Sequence, residues 1–236
     1  MDWRDQGILL SVRKHGEATA LTEVFTALHG RHAGAVRGGA SRKMAPVLQP
    51  GAQLDVHWRA RLEDQMGNFT VELLQPRAAH ILHDRLALLA LGSVCALCRF
   101  ALPERASYPV LYSATVALLD ALGQPGWLHA YALWELQLLE ETGFGLDLDR
   151  CAVTGAQQGL AYVSPRTGRA VTIEGAGEYA PRLLPLPAAL LNGSALDARD
   201  LTQALTISGY FLNHWLAHAV GLRLPEARAR FIAALE

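Results

Sequence analysis

The chain has 236 residues, of which 51% are hydrophobic and 18% are charged, and its formal net charge is −1. This composition is typical of a globular protein that is long enough to bury a sizeable core, and it argues against wholesale disorder. The near-neutral balance also excludes a histone-like protein coated in positive charge, although it permits a local basic surface.

The first 76 residues predict a compact β unit, because short apolar or alternating segments are separated by turns. The predicted strands cover Gly7–Arg13, a segment that begins at Leu21, a segment through Ala33 and Val36, Gln53–Arg61 and Phe69–Leu74. Turns are expected at His29–Arg31 and around Asp64–Asn68. Five short strands favour a small closed barrel, with the OB-fold as the leading candidate. An SH3-like barrel is the alternative, and the pattern alone does not separate the two.

A positive stretch lies inside this unit. No acidic residue occurs between Glu23 and Asp55, and the loop Gly38–Gly51 is rich in glycine and proline. The basic residues of the stretch are Arg31, Arg37, Arg42 and Lys43, and Arg13 and Lys14 are candidate extensions of the same patch. Such an uncompensated cluster attracts a polyanion, so these residues are the predicted nucleic-acid contacts. The alternative is a solvated loop without a ligand.

After Pro76 the apolar residues recur at helical spacing. Helices are expected over residues 81–100, Val110–Leu122, Trp127–Thr142, a segment from the capping residue Asp197 to Val220 with a weak point at Gly209, and Pro225–Leu235. The segment Asp147–Ile173 is irregular and contains a hairpin signal at residues 164–168. The predicted fold class is therefore α+β and multidomain, with an N-terminal barrel followed by a mostly helical part.

Sequence motifs for catalysis or metal binding are incomplete. Cys95 and Cys98 have CxxC spacing but lie in an apolar helix, which predicts buried core residues. Cys151 has no further cysteine or histidine before Ile173, so a local tetrahedral zinc site cannot be built. His214 and His218 lack the glutamate of an HExxH motif and are expected to be partly exposed helix residues. The sequence thus indicates neither an enzymatic site nor a bound metal.

Several segments together resemble the RecO family of bacterial recombination mediators. They are the strand Leu21–Thr26, the turn His29–Arg31, the strand exit Arg37–Gly38, the entry Leu48–Gly51 to the next strand, and the hairpin Leu160–Gly168 after Cys151. The resemblance implies an OB-fold domain at residues 1–76, a helical domain in two parts at 77–146 and 176–236, and a zinc-ribbon-like hairpin inserted at 147–175.

The family resemblance also implies a non-catalytic role in DNA repair and recombination. It implies binding to single- and double-stranded DNA, annealing of complementary strands, pairing with RecR, contact with the C-terminal tail of single-stranded DNA-binding protein, and loading of RecA. The expected location is the cytoplasm, since the N-terminus MDWRDQG lacks the apolar stretch of a secretory signal and the uncharged run before Arg99 is too short to cross a bilayer. The resemblance implies association with the nucleoid.

Two expectations follow for particular residues. An acidic tail with an apolar end needs an apolar groove rimmed by arginine, and Arg99 and Arg105 are the candidates. Many family members carry four cysteines in the hairpin, whereas Thr154 stands here in the second position and residues 171–174 supply no thiolate. No cofactor is therefore expected. The competing hypotheses are a protein-interaction module that does not touch DNA and, less favoured, a metal-dependent nucleic-acid enzyme.

Overall fold

The computed structural model describes residues 1–62 and 65–235. Its tertiary contacts divide the chain into two compact units. The first comprises Met1–Pro125 and the C-terminal segment that begins at Pro225, and the second comprises Gly126–Leu224. Asp64, where one predicted turn begins, lies outside the described residues. No helix in the described part of the chain has both the length and the apolar character of a membrane span.

The first unit begins with a closed barrel of five strands. Strands β1 to β5 cover Asp2–His15, Thr19–Thr26, Gly30–Arg37, Gln53–Arg59 and Asn68–Gln75. Their order is β1-β2-β3-β5-β4, and β4 returns to β1; only the β3–β5 pair is parallel. A register shift between Leu9 and Ser11 accompanies the bend of β1, which pairs with β4 in its first half and with β2 in its second. This topology confirms the predicted OB-fold and excludes the SH3-like alternative.

Aromatic side chains fill one end of the barrel around a buried histidine. The ring of His32, which is 5% exposed, meets Trp3 and Trp58 edge-on at centroid distances of 5.1 and 4.7 Å. Neither ring nitrogen lies in hydrogen-bonding geometry with a described residue. Burial, together with the positive charge of Arg105, lowers the pKa of His32 to about 4.

Acidification should therefore destabilise the barrel. Because the pKa of His32 is lowered from 6.5 to about 4 on folding, the unfolded chain binds the proton first as the pH falls. The contribution of the neutral His32 ring to the free energy of unfolding is complete above pH 6.5 and is lost as the pH falls towards 4. One pKa unit corresponds to about 1.4 kcal/mol, so the loss should be about 3 kcal/mol. Urea unfolding of the wild type and of His32→Leu across this range would measure it, and equal losses in the two proteins would contradict the assignment to His32.

Nine α-helices follow the barrel in the described residues. Helices α1 to α9 cover Arg77–His80, Arg85–Ala101, Pro109–Ala121, Trp127–Glu141, Ile173–Ala176, Ala188–Asn192, Ala198–Phe211, Ala217–Val220 and Glu226–Ala233. Helix α2 begins at Arg85 and not at Ile81, because the Asp84 carboxylate accepts a hydrogen bond from the Ala87 amide and caps it. Helices α2 and α9 pack together in the first unit, as do α4 and α7 in the second.

A buried arginine connects the barrel to α3 within the first unit. The Arg77 side chain is 2% exposed, and its Nε lies 2.6 Å from Oδ1 of Asp120 on α3. Its Nη1 donates to the Gly51 carbonyl and to Oε1 of Gln53 at 3.2 and 3.0 Å. The Gln53 amide in turn donates to the Tyr112 hydroxyl at 2.8 Å. Strand β4 and helix α3 are therefore joined by a continuous polar network.

The segment between α2 and α3 also lies against the barrel. A Cβ on Gly30, which has a φ of +62°, would stand 1.9 Å from the Ala106 carbonyl oxygen, so only glycine permits this close approach. The Arg105 amide donates to the Arg31 carbonyl at 2.8 Å, and the Ser107 hydroxyl donates to the Ala27 carbonyl at 2.7 Å. These contacts hold the end of α2 beside strand β3.

The second unit is mostly helical and carries the predicted hairpin. Strands β6 to β8 cover Leu160–Val163, Ala170–Thr172 and Leu184–Pro185, and they form a sheet in the order β7-β6-β8. The Asp197 side chain caps α7, as expected, by accepting from the Asp200 amide at 2.8 Å. The irregularity after α7 is a π-helical turn at Leu212–Leu216, so it lies beyond the expected weak point at Gly209.

Candidate nucleic-acid interface

A groove of about 570 Å³ runs over the outer face of the barrel in the first unit. It is lined by residues of β1, β2 and β3, by Met66 of the β4–β5 connection, and by Arg99 and Glu104 from the end of α2 and the segment after it. The cationic lining residues are Arg13, Arg31 and Arg99, and the acidic ones are Glu23 and Glu104. We call this feature the barrel groove.

The alternation of strand residues explains how these side chains come to share one face. Ser11 pairs with Glu23, Glu23 pairs with Ala33, and Arg13 lies two residues beyond Ser11 on the same strand. Because side chains on a strand alternate between faces, Arg13, Glu23 and Arg31 all point outward, while Val24 and His32 face the core. The barrel groove is thus a direct product of the register of β1, β2 and β3.

Glu23 lies at the centre of the cations of the groove. Its carboxylate is 2.6 Å from Nη1 of Arg31 and 2.6 Å from Nη2 of Arg99, and it accepts a further hydrogen bond from the Ser11 hydroxyl at 3.1 Å. Burial raises the pKa of Glu23, but the bonds from Arg99 and Arg31 outweigh it, so the pKa lies below its ordinary value. Glu23 is therefore a carboxylate at neutral pH.

Four exposed cations lie at the end of the barrel next to the groove. His15 pairs with Thr19, and Thr19 pairs with Arg37, so the end of β3 lies beside the β1–β2 turn. The Ala40 amide donates to the Ala18 carbonyl at 3.3 Å, which brings the following loop to the same turn. The exposed cations are Lys14, Arg37, Arg42 and Lys43, and we call them the barrel-end cations. None of them forms an ion pair with a residue that the structure describes.

Arg31 differs from the other predicted contacts in two respects. It lies within β3 and not in the predicted turn, since the strand begins at Gly30. Its guanidinium is 18% exposed, pairs with Glu23, lies 3.6 Å from Glu104 and donates through Nε to the Leu102 carbonyl at 2.8 Å. The interpretation that the charge of Arg31 is uncompensated was therefore wrong. The acidic partners come from the neighbouring strand and from the segment after α2, which the local absence of acidic residues does not reveal.

The two arginines expected to rim a tail-binding groove contact different residues of the first unit. Arg99 belongs to the barrel groove through its bonds to Glu23, whereas Arg105 donates through Nη2 to the Gln65 carbonyl at 3.1 Å. Arg105 also has a φ of +64°, a left-handed backbone that is uncommon for a residue with a side chain. No sequence pattern indicates that Arg99 lies against the barrel, because its partner Glu23 is distant along the chain.

The hairpin of the second unit does not offer a zinc ligand set. The Cys151 sulfur accepts from the amides of Val153 and Thr154 at 3.4 Å and of Thr172 at 3.3 Å, and the Thr172 hydroxyl lies 3.5 Å from it. Gly175 also lies close to the thiol, since a Cβ at this position would be 3.0 Å from the sulfur. One thiol among threonines and glycine does not fit tetrahedral zinc, and no cluster of three metal-ligating side chains occurs within residues 1–62 and 65–235. Freedom from zinc remains a prediction, which metal analysis of the purified protein would test.

The other cysteines are core residues of α2. Cys95 and Cys98 are 3% and 0% exposed, and burial raises the pKa of both thiols, that of Cys95 to about 12. Both are therefore neutral thiols at physiological pH, which agrees with the predicted core role. His214 and His218 are exposed on the helical segment of the second unit, as the sequence indicated.

Both parts of the chain match models of known protein families. Residues 1–77 match the family model described as Recombination protein O N terminal, and residues 82–225 match Recombination protein O C terminal. The chain is 58% identical over 236 residues to the DNA repair protein RecO of Cereibacter sphaeroides, covering 100% of this chain and 98% of the relative. It is 59% identical over 237 residues to that of Dinoroseobacter shibae, with the same coverage. It is 56% identical over 235 residues to that of Roseobacter denitrificans, covering 98% and 97%. The chain therefore belongs to the RecO family, and its role lies in DNA repair and recombination.

Proposed function

We propose that this protein binds the DNA backbone through the barrel groove and the barrel-end cations, and that it acts as a non-catalytic recombination mediator. The observation that carries the proposal is the convergence of Arg13, Arg31 and Arg99 on the outer face of β1 to β3. The face of strands 2 and 3 is the surface through which OB-folds bind oligonucleotides. Lys14, Arg37 and the loop cations extend the positive surface at the barrel end.

The chemistry of this surface suits strand annealing. Guanidinium and ammonium groups neutralise phosphates and release counterions without reading base sequence. Most aromatic side chains of the barrel pack within the protein. Trp58 and Phe69 are buried in the core, and the ring of Trp3 stacks on that of His29 with centroids 4.0 Å apart. A backbone-binding surface lowers the repulsion between two strands while leaving their bases available for pairing. Both single- and double-stranded DNA are therefore proposed ligands.

The proposed partners are RecR, the acidic C-terminal tail of single-stranded DNA-binding protein and, indirectly, RecA, all acting at the nucleoid in the cytoplasm. For the tail, the support is that Arg99 borders apolar lining residues of the barrel groove, among them Val12, Leu21 and Met66. Replacing both Arg99 and Arg105 by glutamate should abolish binding of a tail peptide, measured by fluorescence anisotropy. Undiminished binding would place the tail elsewhere.

The DNA-binding proposal is tested by titrating labelled single strands and duplexes of unrelated sequence with the full chain at two salt concentrations. We expect binding of both forms, with little dependence on sequence and a steep fall in affinity as salt rises. An absence of binding even at the lower salt concentration would contradict the proposal and would favour the alternative of a protein-interaction module built on an OB scaffold.

A further inference from the structure

We infer that Glu23 is a built-in competitor for DNA phosphate: its carboxylate occupies an anion site in the barrel groove between Arg31 and Arg99, and a backbone phosphate must displace it to bind there. The inference rests on the proposed function, since it concerns how tightly the same groove holds DNA. In this role, Glu23 keeps the binding of DNA in the groove weak and reversible.

The donors around Glu23 form a site that suits a phosphate as well as a carboxylate. Two guanidinium groups approach the carboxylate at 2.6 Å, and Nε of Arg99 donates to the same oxygen as its Nη2, at 2.8 Å. The Ser11 hydroxyl supplies a further donor at 3.1 Å. Guanidinium pairs and hydroxyls are common ligands of phosphate oxygens. The same donors can therefore bind either the carboxylate of Glu23 or a phosphate.

Arg31 is held in place by side-chain contacts other than Glu23, and the backbone of Arg99 is fixed by its helix. Nε of Arg31 donates to the Leu102 carbonyl at 2.8 Å, and the amide of Arg105 donates to the carbonyl of Arg31. Arg99 lies in the last turn of α2, which is part of the packed first unit. Displacing the Glu23 carboxylate consequently leaves the Arg31 guanidinium in place beside the groove and leaves the half-exposed Arg99 side chain within reach of the same incoming anion.

The site is accessible from the groove. The side chains of Arg31 and Glu23 are each 18% exposed, and that of Arg99 is 47% exposed. Displacement exchanges one set of charge-assisted hydrogen bonds for another, so the net gain on binding phosphate is small. A strand bound under this competition dissociates readily, which suits a protein that must release paired strands.

Neutralising Glu23 tests the inference directly. Glu23→Gln keeps the size of the side chain but removes the competing charge, so the full chain should bind single-stranded DNA roughly three- to tenfold more tightly at moderate salt. The slope of log affinity against log salt should become steeper by about 0.7, the value for one phosphate contact on a single strand, because the displaced Glu23 carboxylate takes up a cation whereas glutamine does not. A purely structural role for Glu23 would not steepen this slope.

The matched control is Glu72→Gln, which makes the same charge change at an exposed position of β5 that does not line the groove. If Glu23→Gln and Glu72→Gln give the same affinity and slope, the inference is wrong. Glu104→Gln provides a second measurement if Glu23→Gln does not fold, because Glu104 is 50% exposed and lies 3.6 Å from Arg31. Glu104→Gln should raise the affinity for single-stranded DNA by less than Glu23→Gln does. An unchanged affinity of this variant would contradict competition by the groove carboxylates.

The proposed function and this inference fail in different ways. If the wild type does not bind DNA at either salt concentration, the proposed function fails. If the wild type binds and loses its affinity when the barrel-end cations are removed, but Glu23→Gln leaves affinity and salt slope unchanged, DNA binding stands and only the competitor role of Glu23 is excluded.

Discussion

Replacing the four barrel-end cations together by alanine should lower the affinity for single-stranded DNA by roughly 10- to 100-fold at moderate salt. Each of these side chains is exposed and has no ion-pair partner among the described residues, so its charge is available to a phosphate. The slope of log affinity against log salt should fall by about 3, since each lost phosphate contact removes about 0.7 on a single strand. Anisotropy titrations over a salt series measure both quantities, and the annealing rate of complementary strands should fall in parallel.

The control for this variant removes the same charge from the second unit. Its substitutions to alanine are at the exposed residues Arg150, Arg166, Arg182 and Arg199. Net charge changes equally in the two variants, so a general electrostatic attraction would weaken binding to the same extent in both. Equal losses would therefore refute a localised interface on the barrel, whereas a loss confined to the barrel-end variant would support it.

Removing Arg77 should have the largest effect on stability. Arg77→Met leaves the Gly51 carbonyl, the Gln53 amide oxygen and the Asp120 carboxylate without their donor in the buried network between β4 and α3. Each buried acceptor left unsatisfied, the Gly51 carbonyl and the Gln53 side-chain oxygen, costs about 1 to 3 kcal/mol, which gives about 3 kcal/mol in all. At about 2 to 4 °C for each kcal/mol, the midpoint of thermal unfolding of the first unit should fall by roughly 10 °C.

Two variants separate this effect from a general loss of charge. Arg85→Met removes an exposed arginine at the start of α2 and should change the melting temperature by little. Asp120→Asn should cost less than Arg77→Met, because the Asp120 side chain is 42% exposed and water replaces part of its interaction. If Arg77→Met melts at the same temperature as Arg85→Met, the network does not stabilise the unit as we expect.

The amino-acid sequence by itself determined the type and order of the main strands and long helices, and much of the barrel. The alternation in β4 and the β-branched residues of β2 specify strands because side chains on a pleated strand alternate between core and solvent. The apolar spacing of α2 and the capping carboxylate of Asp197 are likewise local signals. Arg37, Arg42 and Lys43 are also close together in the sequence, at the end of β3 and in the loop that follows it, whereas Lys14 is brought beside them by the pairing of β1, β2 and β3.

Only the tertiary structure decided which charges meet. Glu23 pairs with Arg31 on the adjacent strand and with Arg99 on α2, and Arg77 meets Asp120 on α3. These partners are far apart in the chain, and no periodicity in sequence specifies a contact that depends on how a helix packs on a barrel. A charge pattern read along one segment counts only local neighbours, whereas the electrostatic energy of a side chain depends on distance in space. Arg31 is for this reason a paired residue of the barrel groove and not an uncompensated cation of a turn.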